Sequence, residues 1–251
     1  MIIRNLISLS ALTLLTLPLL TPVAHADAKG ETILRAAFKK LGESKAMTAK
    51  LMQSFQTLDG KTLAEYGGTI SALKPNYLTV EIKADGPNGS KRTTVYAADG
   101  KDYYAPSPTE PDVYTVAPNK PNPTDFPGEW EAEIDSFFGG EKLLEKGTPE
   151  FGKVEKIGKI SCDVVLMKMK PVGEVPARTL VYYVGQKDKL IYRSSWQVVR
   201  REGTFIQANT LSEINLKAEK KPSDFAYTPS KDLKKFVPKK KREVIFAHFQ
   251  H

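Results

Sequence analysis

Histidine and cysteine are scarce in this 251-residue chain, with three of the first and one of the second. The single thiol, Cys162, can form no internal disulfide, so it does not fix the redox compartment. It sits in Ile157-Gly-Lys-Ile-Ser-Cys-Asp-Val-Val-Leu166, which reads as a strand, and is expected to be a buried, inert thiol. His248 and His251 fall in the last four residues, so a Ser-His-Asp or Cys-His site would have to recruit a chain end. Metal sites of the His/Cys kind lack ligands for the same reason, and the terminal His-x-x-His pair is read as incidental. No phosphate-cradling glycine loop opens a helix, because Gly86–Gly89 and Gly139-Gly140 have the composition of turns. Glu129, Glu131, Glu133 and Asp135 lie along one expected helix, where a solvated polar face fits better than the opposed acids of a glycosidase. No catalytic residue, metal or cofactor is therefore expected. The absence of a fixed repeat also excludes a propeller or solenoid.

The ends carry the clearest compositional signals. Arg4, the apolar stretch Leu6–Leu20 and Ala24-His25-Ala26 make a tripartite export signal, expected to be cleaved after Ala26. The apolar stretch is shorter than the ~20 residues of a spanning helix and is interrupted by Pro18. No cysteine follows the cleavage site, so no lipid anchor is expected, and the remaining chain suits one large β domain. The formal charge is +8, much of it in Lys231, Lys234, Lys235, Lys239, Lys240, Lys241 and Arg242. Residues 231–251 read as a solvated basic tail able to meet an anionic membrane surface or an acidic partner. Nucleic acid is not expected for an exported chain without an aromatic-basic signature.

Between the ends, strand-like segments alternate with tight turns. Met47–Leu58 turns at Asp59-Gly60 into Lys61–Leu73; Asn76–Lys83 follows Pro75, and Thr93–Ala98 turns at Asp99-Gly100-Lys101 into Asp102–Tyr104. Asp-Gly turns between alternating runs are the strongest local signal for antiparallel hairpins. Leu78, Val80 and Ile82 point one way, and Thr79, Glu81 and Lys83 the other. Residues 105–128 are proline-dense, with Asp112–Val116 as a candidate edge strand. Strands return at Phe151–Ile157, Ile160–Lys170, Arg178–Gly185, Leu190–Arg200 and Thr204–Leu216, with Trp196 and Val198 sharing a face.

Two segments are helical. In Gly30–Glu43 the residues Ile33, Leu34, Ala37, Phe38 and Leu41 form one apolar face. In Glu129–Leu144 the residues Trp130, Ile134, Phe137 and Phe138 do so, with Gly139-Gly140 as a break. The fold class that follows is mainly β (α+β): a strongly curved antiparallel sheet, an unclosed barrel whose open side is covered by helices. Such a sheet has a concave apolar face and no second sheet to bury it, so its helices or a hydrophobic ligand must cover it.

Several motifs carry a family resemblance. They are Phe55-Gln56-Thr57 with Asp59-Gly60, Gly67-Gly68-Thr69-Ile70, Leu73-Lys74-Pro75-Asn76-Tyr77-Leu78, Asp99-Gly100-Lys101 with Tyr103-Tyr104, and Asp224-Phe-Ala-Tyr-Thr-Pro229. In order and spacing they resemble the periplasmic lipoprotein carriers, the LolA/LolB-like superfamily, over about residues 30–232. The resemblance implies a half-barrel domain over residues 27–230 with about eleven strands, an apolar cavity for acyl chains and a helical lid. It implies Leu78, Val80 and Ile82 on the concave face, Trp130–Phe138 in the place of the lid, and Asp224–Pro229 as a closing strand. Lys74 stands where those carriers usually have a lid-holding Arg, and it lacks the planar fork of a guanidinium.

The expected ligand-binding set is Leu34, Phe38, Leu78, Val80, Ile82, Tyr96, Tyr104, Trp130, Ile134, Phe137, Phe138 and Trp196, with Lys74 as a lid contact. The leading reading is a monomeric periplasmic carrier of lipid or lipoprotein acyl chains. The alternative is an envelope sensor or regulatory protein that uses the same trough to meet a membrane protein. An envelope hydrolase ranks last for want of histidines and paired acids.

Overall fold

A computed structural model describes residues 27–85, 91–107, 110, 112–119, 131–171, 177–200 and 203–236. The export signal, Trp130, the Gly86–Gly89 turn, both terminal histidines and Lys239–Arg242 lie outside the described residues. The first element is α1 (Ala28–Gly42). Asp27 caps it by accepting from the Lys29 amide at 3.0 Å, and the Arg35–Glu31 pair at 2.6 Å supports its exposed side. Its apolar stripe is buried, as the three- and four-residue spacing requires.

The strands are β1 (Ala46–Thr57), β2 (Thr62–Leu73), β3 (Tyr77–Asp85), β4 (Lys91–Asp99), β5 (Asp102–Pro106), β6 (Val113–Pro118), β7 (Gly147–Ile157), β8 (Ile160–Met169), β9 (Arg178–Gly185), β10 (Ile191–Arg200), β11 (Gly203–Asn215) and β12 (Lys234–Lys235). Gly60 and Gly100 adopt φ of +88° and +91° in the two Asp-Gly turns, a conformation that favours glycine. The strands form one sheet in the order β12-β6-β5-β4-β3-β2-β1-β11-β10-β9-β8-β7. Every pairing is antiparallel except that of β12, which runs parallel to β6. The two end strands do not pair with each other, so the sheet is open.

Its curvature follows from what one core unites. Tyr103 on β5 and Met169 on β8 belong to the same apolar cluster. A flat sheet would hold those strands about 40 Å apart. The sheet bends instead around α1 and α2 (Ser136–Lys146), which pack on each other and occupy the concave side. Gly68 permits the tight approach of β2 to β3, since a Cβ there would lie 2.1 Å from the Glu81 carbonyl oxygen.

A smaller cluster lies on the convex side, where Phe225 packs with Ala46 and Leu73. The segment Pro222–Phe225 is a 3-10 turn, whereas the family resemblance implies a strand from residue 224. Pro222 at its start supplies no amide for a ladder, and Phe225 folds back against Tyr77. The first part of the basic segment is tied to the sheet: the Phe236 amide donates to the Tyr114 carbonyl at 2.8 Å. At the opposite margin α1 overlaps β7. The Asp27 amide donates to the Pro149 carbonyl at 3.3 Å, and Asp27 Oδ2 accepts from the Phe151 amide at 2.9 Å.

Candidate functional site: the concave face and its helical cover

The concave face is built by strand alternation. Leu78, Val80 and Ile82 on β3 stand opposite Ala98, Tyr96 and Thr94 on β4, and opposite Ala72, Ile70 and Gly68 on β2. Leu78, Val80 and Ile82 are buried in the main cluster with Leu34, Phe38, Ile134, Phe137 and Phe138, while Tyr96 and Trp196 pack against it half-buried. Tyr104 is separate. The register pairs Tyr103 with Ala98 of the main cluster, which turns Tyr104 to the convex side. There its ring meets Tyr227 at 5.3 Å and Tyr114 at 6.5 Å. Tyr103 is the aromatic that β5 contributes to the hollow.

The cover consists of α1, a π-helical turn at Glu131–Asp135 and α2. The helix is interrupted at Gly139-Gly140 as expected: Gly139 has the non-helical φ −157° and ψ 39°, and the two helical pieces of α2 meet there at a kink. Gly140 is required by contact, because a Cβ there would lie 2.6 Å from Phe38 Cγ. Phe38 meets Tyr182 edge-on at 6.0 Å, and Phe137 meets Phe138 at 5.1 Å. These side chains are buried in the hollow, and a cavity of about 10 Å³ lies between Leu41, Met47, Glu133 and Ile214. A groove of about 280 Å³ lies outside the hollow, between α1, α2 and β7, and carries Glu31, Arg35, Glu141 and Glu145.

Lys74, at the end of β2, reaches both parts of the cover. Its Nζ donates to the Leu41 carbonyl at 3.1 Å and the Gly42 carbonyl at 2.6 Å, which satisfies the C-terminus of α1. The same ammonium stands 4.8 Å from the centre of the Phe137 ring. Burial lowers its pKa from the ordinary lysine value.

The carboxylates of the mid-chain segment correct the expectation of a solvated face. Glu133 through Phe138 are all buried, with Glu133 at 3% and Asp135 at 0% exposure. Glu133 and Asp135 therefore face protein rather than solvent. The sheet meets them with a row of polar side chains. Gln53 on β1, Asn209 on β11, Ser194 on β10 and Tyr182 on β9 are successive cross-strand partners, and all are buried. Gln53 donates to Asn209 Oδ1 at 3.4 Å, and the Ser194 hydroxyl donates to Glu133 Oε1. Burial pushes the Glu133 carboxyl up to about 7, against hydrogen bonds from Ser194, its own backbone and Asn209 that pull it down. Tyr182 is raised as well, chiefly by burial.

This polar row is absent from the expected site. Ser194 lies two residues before Trp196, so strand parity already placed it on that residue's face. Cys162 is buried on β8, and burial raises its pKa.

No protein-family model and no curated protein sequence matches the chain. Solved structures similar to it include the lipoprotein LppX of Mycobacterium tuberculosis, at 14% identity over 77% of this chain and 98% of that one, TM-score 0.44. LprF of Mycobacterium bovis is 11% identical over 77% and 97%, TM-score 0.44. A LolA superfamily protein of Nitrosomonas europaea is 11% identical over 79% and 97%, TM-score 0.37. The family that the sequence motifs resemble thus reappears among these structures. LolA superfamily proteins are thus among the structures to which the chain is similar, at 11% identity and a TM-score of 0.37.

Proposed function

We propose that this protein is a periplasmic binding and carrier protein that holds lipid or lipoprotein acyl chains between its open sheet and its helical cover. The observation that carries this reading is the way the cover is attached. An apolar concave face, with no second sheet over it, is closed by two helices, one kinked at Gly139, and the side chain of Lys74 touches both.

Burying an acyl chain of about 16 carbons is worth roughly 0.8 kcal/mol per CH₂, so its unaided passage through water is slow. Phe38, Phe137 and Phe138 fill the space that such a chain would take, and their withdrawal would open it. The export signal at residues 1–26 supports a periplasmic location, and Lys231, Lys234 and Lys235 on the described part of the basic segment suit an anionic membrane surface. The reading is non-enzymatic: Ser194 is bonded to a buried carboxyl, with no histidine among the described residues to act as base.

The test is to purify the protein from its native host, extract bound material and analyse it by mass spectrometry. Stoichiometric lipid or lipoprotein is expected. A co-purifying membrane protein with the hollow still plugged would favour the regulatory alternative, and if neither is found the carrier reading loses its support.

A further inference from the structure

The polar row under the cover has no place in a simple hydrocarbon trough. We propose that Gln53, Asn209 and Ser194 form a receptor for the carboxylate or ester oxygen of an amphiphilic cargo, and that Glu133 occupies this receptor in cis as an internal competitor. The inference rests on the carrier reading and specifies which end of the cargo the protein recognises.

The chemistry of the row selects an acceptor. Gln53 donates to Asn209 Oδ1, and the Asn209 side chain is itself hydrogen-bonded to the Glu133 carboxyl, to which only its amide can donate. Ser194, the next residue across the sheet, donates to Glu133 Oε1. The seat is therefore lined with donors, and it now holds a carboxylic oxygen supplied by the cover. Glu133 fits it imperfectly, since no hydrogen bond of good geometry reaches its buried Oε2 among the described residues.

Opening the cover withdraws Glu133 and leaves the row without its acceptor. A bare hydrocarbon laid over it would bury a hydroxyl and an amide unsatisfied, whereas a carboxylate or ester would restore their bonds. The same exchange explains why a polar turn is sunk into an otherwise apolar hollow: it imitates the ligand it excludes.

The experiment uses the full chain and the uncharged fluorophore diphenylhexatriene, displaced in turn by palmitate, methyl palmitate and hexadecane. Palmitate and methyl palmitate should displace it about tenfold more strongly than hexadecane. Ser194→Ala should erase that preference while leaving hexadecane within about twofold of wild type. Glu133→Ala should strengthen the two oxygen-bearing ligands about tenfold more than it strengthens hexadecane, because only they compete for its seat. Circular dichroism checks that each variant is folded; if Glu133→Ala is not, the Ser194→Ala comparison decides alone. Equal potency of all three ligands, or an equal gain for all three in Glu133→Ala, overturns the inference and leaves the carrier reading intact. Failure of the wild-type protein to bind the fluorophore or any of the three ligands overturns the carrier reading itself.

Discussion

Gly140 of α2 lies against Phe38 of α1 so closely that a single added methyl would stand 2.6 Å from the ring's Cγ. The cover is therefore two helices fitted to each other at a point where no side chain fits. Gly140→Ala should force Phe38, 2% exposed and packed on Tyr182, out of position. Overpacking of this kind costs about 1–3 kcal/mol. Urea denaturation measures it, and an unchanged midpoint would show that the contact yields freely.

Lys74 is expected to act on the cover rather than on the sheet. Lys74→Ala removes the donor to the Leu41 and Gly42 carbonyls together with the contact to Phe137. Loss of a charged donor costs about 1.5–3 kcal/mol. Hydrogen exchange should rise at the end of α1 and in α2 while β1–β3 keep their protection. Lys74→Arg should restore most of the protection, since a guanidinium also reaches two carbonyls.

A pH dependence follows from Glu133. Its folded value is near 7 against an ordinary 4.5, chiefly because burial disfavours the charge. Asp135 on the same turn and Tyr182 on β9 are the titratable neighbours. The folded protein keeps a proton that the unfolded chain releases, so the contribution is fully present below about 4.5 and is lost as pH rises through about 7. The effect is on the order of 3 kcal/mol. Denaturation midpoints should fall between pH 5 and 8 in the wild type and stay flatter in Glu133→Gln. A flat wild-type profile would place the carboxyl in water.

Gly68→Ala tests the bend of the sheet. The new Cβ would meet the Glu81 carbonyl at 2.1 Å, and backbone on both sides has nowhere to yield. A cost of about 3 kcal/mol is expected, at the upper end for overpacking. Thermal unfolding reads it, with Gly67→Ala as the control, since nothing lies within 4 Å of a Cβ there.

The strands were legible because one side of each faces the core. Leu78, Val80 and Ile82 announce β3 by parity alone, and Asp59-Gly60 and Asp99-Gly100 mark hairpins through the positive φ they demand. Parity failed only where neighbouring residues are alike. The pair Tyr103-Tyr104 offers two aromatics, and only the register with Ala98 decides which one turns inward. The burial of Glu133 was not legible, since an acidic residue on a helix reads as solvent-facing unless the partner surface is known. That surface comes from β1 and the consecutive strands β9–β11, all far in sequence from Glu133, so no local pattern reveals it. The break at Gly139-Gly140 was legible, with Gly139 at the kink, but the contact of Gly140 with Phe38 was not.

An open sheet has two unpaired margins, and either one is a template on which another chain's strand can add. Here both are fenced by the chain itself. Asp27 takes up amide and carbonyl positions at the start of β7, and Lys153 and Glu155 farther along it form an ion pair at 2.6 Å. On the far side β12 lays two lysines beside β6. An unzipped barrel thus keeps its seams from knitting to a neighbouring molecule, and cutting the chain before Leu233 should expose one of them.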